Sequence, residues 1–197
     1  MRDIIKVAEE LREQYTGKLP PVQQWNPELS GTMDMVIDRQ GKWFHNGEEI
    51  LRLSLVKLFS TILKREGDDY FLLTPVEKWK ITVEDAPFVV VKCEVKHSDE
   101  TQSSGPNDDQ QLLCLTTLTD DFIVVDKEHP LWVEGDSKGE PSPYVMVRDN
   151  MPAIISRNVY YQLVDLALSG ANQNESADEV FVYSAGEKFS LNSKQLG

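Results

Sequence analysis

Tyr70-Phe71-Leu72-Leu73-Thr74-Pro75-Val76-Glu77-Lys78-Trp79-Lys80-Ile81 aligns without a gap to Val180-Phe181-Val182-Tyr183-Ser184-Ala185-Gly186-Glu187-Lys188-Phe189-Ser190-Leu191, at an offset of 110. Upstream, Ile50-x-Arg52-x-x-Leu55-Val56-x-Leu58-Phe59 aligns to Ile155-x-Arg157-x-x-Tyr160-Tyr161-x-Leu163-Val164 at an offset of 105, and a longer loop in the second copy absorbs the difference. A helix followed by a strand pair, twice in one order, marks a duplicated module.

Outward from the repeat, each half reads as β-rich around one helix. Ile4, Ile5, Ala8 and Leu11 have helical spacing over residues 3–15, with Asp3 as cap and Gly17 as stop. Leu19-Pro20-Pro21-Val22 forces an extended connector. Met33, Met35 and Ile37 alternate as a strand, Lys42–His45 returns, and Asn46-Gly47 signals a second turn. Residues 51–64 form the first repeated helix, with Leu51, Leu55, Leu58 and Ile62 on its buried stripe. Strands are expected at 70–74, 78–83, 88–96, 111–118, 122–126, 130–134, 143–148, 180–184 and 188–192, and the second helix at 152–169. The stretches 97–109 and 171–178 read as polar loops. The fold class is α+β: two similar modules of antiparallel strands around one helix each, because links within strand pairs are too short for parallel crossovers. We divide the chain into a helix and connector at 1–28, a first module at 29–97 and a second at 98–197.

Of the formal net charge of −13, residues 1–65 contribute +1 and residues 66–197 contribute −14. So acidic a surface disfavours non-specific nucleic-acid binding, and a local anion site needs clustered basic groups. No apolar run approaches the roughly 20 residues of a membrane helix. The start of the chain turns acidic at Glu9-Glu10 and does not read as a secretory signal. Cys93 and Cys114 sit in apolar β-rich stretches and read as reduced thiols of a cytoplasmic protein.

Phosphate-loop, dinucleotide-binding, zincin, nucleophile-elbow and paired C-x-x-C patterns are missing, and the three histidines are scattered, so neither a metal nor a cofactor is expected. The polar signal is the repeated arginine. Arg52 sits beside the apolar stripe in the first turn of its helix, and Arg157 has the same relation to Tyr160, Tyr161 and Val164; a cation there faces the positive end of the dipole and needs an anion. Glu77 and Glu187, repeated with them, are one source and give a structural pair in each module. A bound phosphate or carboxylate is the other. Trp43 and His45 share one strand face before Arg52 and could meet a planar ligand, or belong to the core. Asp85 lies in a strand-end turn, and Tyr144 and Arg148 lead into the second helix as His45 leads into the first.

Gly41-x-Trp43-Phe44-His45-x-Gly47, Leu58-Phe59-Ser60, Thr74-Pro75-Val76-Glu77-Lys78, Val83-Glu84-Asp85-Ala86-Pro87-Phe88, His129-Pro130-Leu131 and Pro143-Tyr144-Val145-x-Val147-Arg148 occur in order. In these motifs the chain resembles an uncharacterised bacterial domain-of-unknown-function family over about residues 19–168. The resemblance implies a duplicated α+β core whose C-terminal half is superficially pleckstrin-homology-like. It also implies a ligand site between the halves, suited to a nucleotide-like molecule, and a signalling role; it brings no catalytic residues.

The expected function is therefore a cytoplasmic, non-enzymatic binding module for a small anionic or nucleotide-derived ligand at the interface of its halves, acting in signal transduction. Trp43, His45, Arg52, Asp85, Tyr144 and Arg148 are its expected contacts. A protein-interaction adaptor is the alternative, and a hydrolase using Asp85 or Glu77 with His45 is a further one.

Overall fold

The computed structural model describes residues 4–15, 18–97, 111–135, 140–170 and 180–193. The expected cap at Asp3, the stop at Gly17 and most of both polar loops lie outside the described residues. The chain forms two compact units that divide after Pro87. The division expected at 97/98 falls instead at 87/88, because the strand Phe88–His97 pairs entirely within the second unit.

In the first unit, helix α1 (Ile4–Gln14) and a 3-10 turn (Val22–Gln24) precede strands β1 (Leu29–Ile37), β2 (Trp43–His45) and β3 (Glu48–Glu49). Asn46 and Gly47, with φ of 52° and 78°, make the left-handed turn that their sequence signals. Helix α2 (Leu53–Thr61) then leads to β4 (Leu63–Glu66), β5 (Asp69–Leu73) and β6 (Lys78–Val83). The helix is shorter than the expected 51–64: Leu63 and Lys64 pair with Leu72 and Phe71 in the sheet. Leu51 lies ahead of the helix and is 83% exposed, not part of the buried stripe. The core packs Met35, Ile37, Phe59 and Leu72 around Trp43, whose ring stacks on Phe59 at 6.2 Å.

The second unit holds β7 (Phe88–His97), β8 (Gln111–Thr117), β9 (Phe122–Val124), β10 (Leu131–Gly135), β11 (Pro141–Arg148) and β12 (Met151–Ile155). Helix α3 (Arg157–Gly170) and the hairpin β13 (Phe181–Ser184) and β14 (Glu187–Ser190) follow. The helix expected at 152–169 begins later, since Met151, Ala153 and Ile155 bury alternate side chains as a strand. A flat six-stranded sheet would separate its edge strands by about 24 Å. Residues 125–130, which join edge strands β9 and β10, barely reach that far, so the sheet curls.

The two sheets have one topology. In the first the order is β3-β2-β1-β6-β5-β4, and in the second β10-β11-β12-β7-β8-β9. Numbered within its own unit, each is two three-stranded meanders joined through the first and last strands. That joining pair is parallel in both (β1 with β6, β7 with β12), which corrects the all-antiparallel expectation. The sequence repeat is real at the level of the hairpin. Adding 110 to Phe71↔Lys80, Leu72↔Trp79 and Leu73↔Lys78 gives the observed pairs Phe181↔Ser190, Val182↔Phe189 and Tyr183↔Lys188. The hairpin's place differs, however. β5 and β6 belong to the six-stranded sheet, whereas β13 and β14 form a separate ribbon held to the unit by Ser184.

Candidate functional site

The expected site residues fall into three groups. Trp43 is 1% exposed and Tyr144 8% exposed; Tyr144 stacks on Trp132 at 5.6 Å, so both rings are committed to packing. Arg148 forms an ion pair with Asp121 and lies 4.6 Å over the Phe88 ring. Burial pushes its guanidinium down to about 10, so it stays charged at neutral pH. The Thr117 and Thr119 hydroxyls donate to the other Asp121 oxygen at 2.9 and 2.7 Å. Arg148 thus belongs to a closed polar cluster in which an anion is already present. His45 and Arg52 are exposed, and Asp85 is half-buried. Arg52 caps the start of α2, and its Nε donates to Ser54 Oγ at 3.2 Å.

Neither repeated Arg–Glu pair is present among the described residues. Glu187 pairs with Lys127 at 2.9 Å, while Arg157 lies 4.0 Å from Glu140. One carboxylate oxygen of Glu77 is buried and has no hydrogen-bond partner among the described residues. The register also separates Glu77 from His45. His45 lies opposite Met35 on β1, while Lys78, next to Glu77, lies opposite Leu29. Six residues of strand put these groups on the order of 20 Å apart. An acid–base pair of Glu77 with His45 is excluded by that spacing. Cys93 and Cys114 are free, and burial pushes the Cys93 thiol up to about 11, where it is a poor nucleophile at neutral pH.

A cleft of about 410 Å³ opens at the start of α3, entirely within the second unit. It is lined by Pro141, Ser142 and Pro143 of β11, Ile154 and Ile155 of β12, and Tyr160 and Tyr161 of the helix. Arg157 and Glu140 stand at its rim, 76% and 68% exposed. The Tyr160 hydroxyl donates to the Leu191 carbonyl at 2.9 Å, which fixes that ring, while Tyr161 stays exposed. Partial burial raises the Tyr160 hydroxyl above its ordinary value, keeping it a neutral donor. Burial drives this geometry: Val159 and Leu163 turn into the core, which leaves Arg157, Tyr160 and Tyr161 facing the cleft. Of these residues the sequence singled out Arg157 through the repeat. A Pro-x-Pro strand start opposite a helix that opens on Arg is the signal that locates the rest.

The family model of the domain of unknown function DUF1285, N-terminal domain, matches residues 20–86, and that of the C-terminal domain of the protein of unknown function DUF1285 matches residues 87–191. The chain belongs to the DUF1285 family. The boundary between the two matches, after residue 86, lies one residue from the division between the compact units, after Pro87. The crystal structure of a DUF1285 family protein from Silicibacter pomeroyi DSS-3 is similar over 98% of this chain and 96% of that one, with 36% identity and a TM-score of 0.80. A DUF1285 family protein from Shewanella baltica OS155 matches 68% of this chain and 91% of its own, with 27% identity and a TM-score of 0.49. No curated protein matches. The DUF1285 matches support the expected duplicated α+β core; they do not support the pleckstrin-homology-like likeness. Among the described residues no helix is long and apolar enough to cross a membrane, and no cluster of His, Cys, Asp or Glu could hold a metal.

Proposed function

We propose that this DUF1285 protein is a non-enzymatic binding module for a small anionic ligand, held in the cleft at the start of α3. The observation that carries the reading is the cleft itself. Its volume lies within the usual range for small-molecule sites, and apolar side chains of two strands, two tyrosine rings and one arginine line it. The first N–H groups of α3 add donors on the same side. A sensing role fits such a module, because occupancy would stabilise α3 against the sheet. Two free thiols fit a reducing compartment such as the cytoplasm.

Thermal unfolding with inorganic phosphate, simple carboxylates and nucleoside monophosphates tests the reading. A ligand at 100 times its Kd should add about 2.7 kcal/mol of stability. The shift should vanish in Arg157→Gln, which leaves folding intact because Arg157 is an exposed side chain. No shift with any of these anions, or a shift that Arg157→Gln retains, overturns the proposal.

A further inference from the structure

We infer that the ligand of this cleft is a zwitterion, an α-amino acid with an apolar or aromatic side chain, and not a phosphorylated molecule. This rests on the anion-binding reading above and narrows it. Among the described residues the lining carries one cation and one anion, Arg157 and Glu140, 4.0 Å apart, and their charges balance. An anion seated on Arg157 also lies close to the Glu140 carboxylate. A phosphate with two or more charges meets that repulsion in a unit that carries eight Lys/Arg against eighteen Asp/Glu over residues 88–197. A ligand with a carboxylate for Arg157 and an ammonium for Glu140 turns the same repulsion into attraction. The two charges of an α-amino acid lie on adjacent groups, which matches the close spacing of the two side chains at the rim. Pro143, Ile154, Ile155 and Tyr161 give the same lining apolar and aromatic surface, which a hydrophobic side chain can cover. The exposed Tyr161 ring offers it a face.

Isothermal titration calorimetry on the full chain with phenylalanine, leucine, N-acetylphenylalanine, phenylalaninamide and inorganic phosphate tests this. Phenylalanine or leucine should bind best. Blocking either end of phenylalanine should weaken binding about fivefold, the factor one ion pair at this spacing supplies in a water-exposed setting. Glu140→Gln should abolish the preference for phenylalanine over N-acetylphenylalanine without weakening the latter. N-acetylphenylalanine or phosphate binding as tightly as phenylalanine, with dependence on Arg157, would overturn the zwitterion while leaving the anion site standing. No heat from any of the five overturns the zwitterion, and the thermal series with nucleoside monophosphates then decides the anion site separately.

Discussion

Replacing Asp121 by Asn tests whether Arg148 belongs to the framework of the second unit or to its ligand. The two side chains are 13% and 16% exposed, and the guanidinium lies over the buried Phe88 ring. Losing the carboxylate charge takes the direct ion partner from a desolvated cation, leaving Asp149 nearby, and breaking a buried pair from one side costs about 3–5 kcal/mol. Asn keeps an oxygen for the Thr117 and Thr119 hydroxyls, so the loss isolates the charge. Against a total stability of roughly 5–15 kcal/mol, this shifts the urea midpoint of the unit far to lower denaturant. The double variant Asp121→Asn with Arg148→Met removes both charges and should recover to within about 1–2 kcal/mol of wild type, since apolar replacement of a buried pair is near neutral. Unfolding can be followed through Trp132, the tryptophan that the sequence supplies to this unit. A cost below about 1 kcal/mol for Asp121→Asn, or additive losses in the double variant, would refute the reasoning. Arg148→Met should also leave any ligand-induced stabilisation intact. Its loss would return Arg148 to the binding site.

Ser184 accepts the Leu113 N–H at 2.9 Å and donates to the Val125 carbonyl at 2.6 Å from a fully buried position. Ser184→Ala removes the partner of both groups, at about 1–3 kcal/mol each, and should destabilise the second unit by about 2–6 kcal/mol in urea titrations; a loss under about 0.5 kcal/mol would contradict this role. The Glu66 carboxyl is held below its ordinary 4.5, chiefly by the hydrogen bond from Lys78. A lowered folded value means stability that is present above pH 4.5 and lost as pH falls below it. Glu66→Gln should therefore flatten the acid limb of the first unit's urea midpoint between neutral pH and about pH 3. An acid limb as steep as wild type's would count against the pair. The effect should shrink in high salt, because Glu66 is about a third exposed.

What the sequence disclosed follows from how far apart the interacting residues lie. The hairpins were legible because both strands and the turn sit within twelve residues, so the pairing register travels with the aligned segment. Asn46-Gly47 was legible for the same reason. Pro152-Ala153-Ile154-Ile155 continues the apolar pattern of the helix that follows and so reads as helix; pairing makes it a strand, antiparallel with Tyr144–Met146 and parallel with Phe88–Val90, the latter more than sixty positions earlier. The parallel joining pairs were hidden likewise. Each depends on the first and last strands of a six-stranded sheet meeting, which no local pattern records.

The site was less legible for a related reason. The repeat drew attention to residues that recur, and recurrence reports shared packing more than shared chemistry. Arg52 stands just ahead of α2 and Arg157 is the first residue of α3, where a strand and the helix together line a cleft. There α3 follows β12 directly and faces the Pro141–Pro143 segment of β11, whereas α2 follows the two-residue strand β3. The same arginine is therefore a solvent-exposed cap in one unit and the rim of a cleft in the other. Glu140 completes that rim and has no counterpart in the alignment. The helix that Arg52 caps lies between the third and fourth strands of its sheet and the one that carries Arg157 follows the sixth, so the cleft takes its cation from the second unit's own arrangement and not from the duplicated topology.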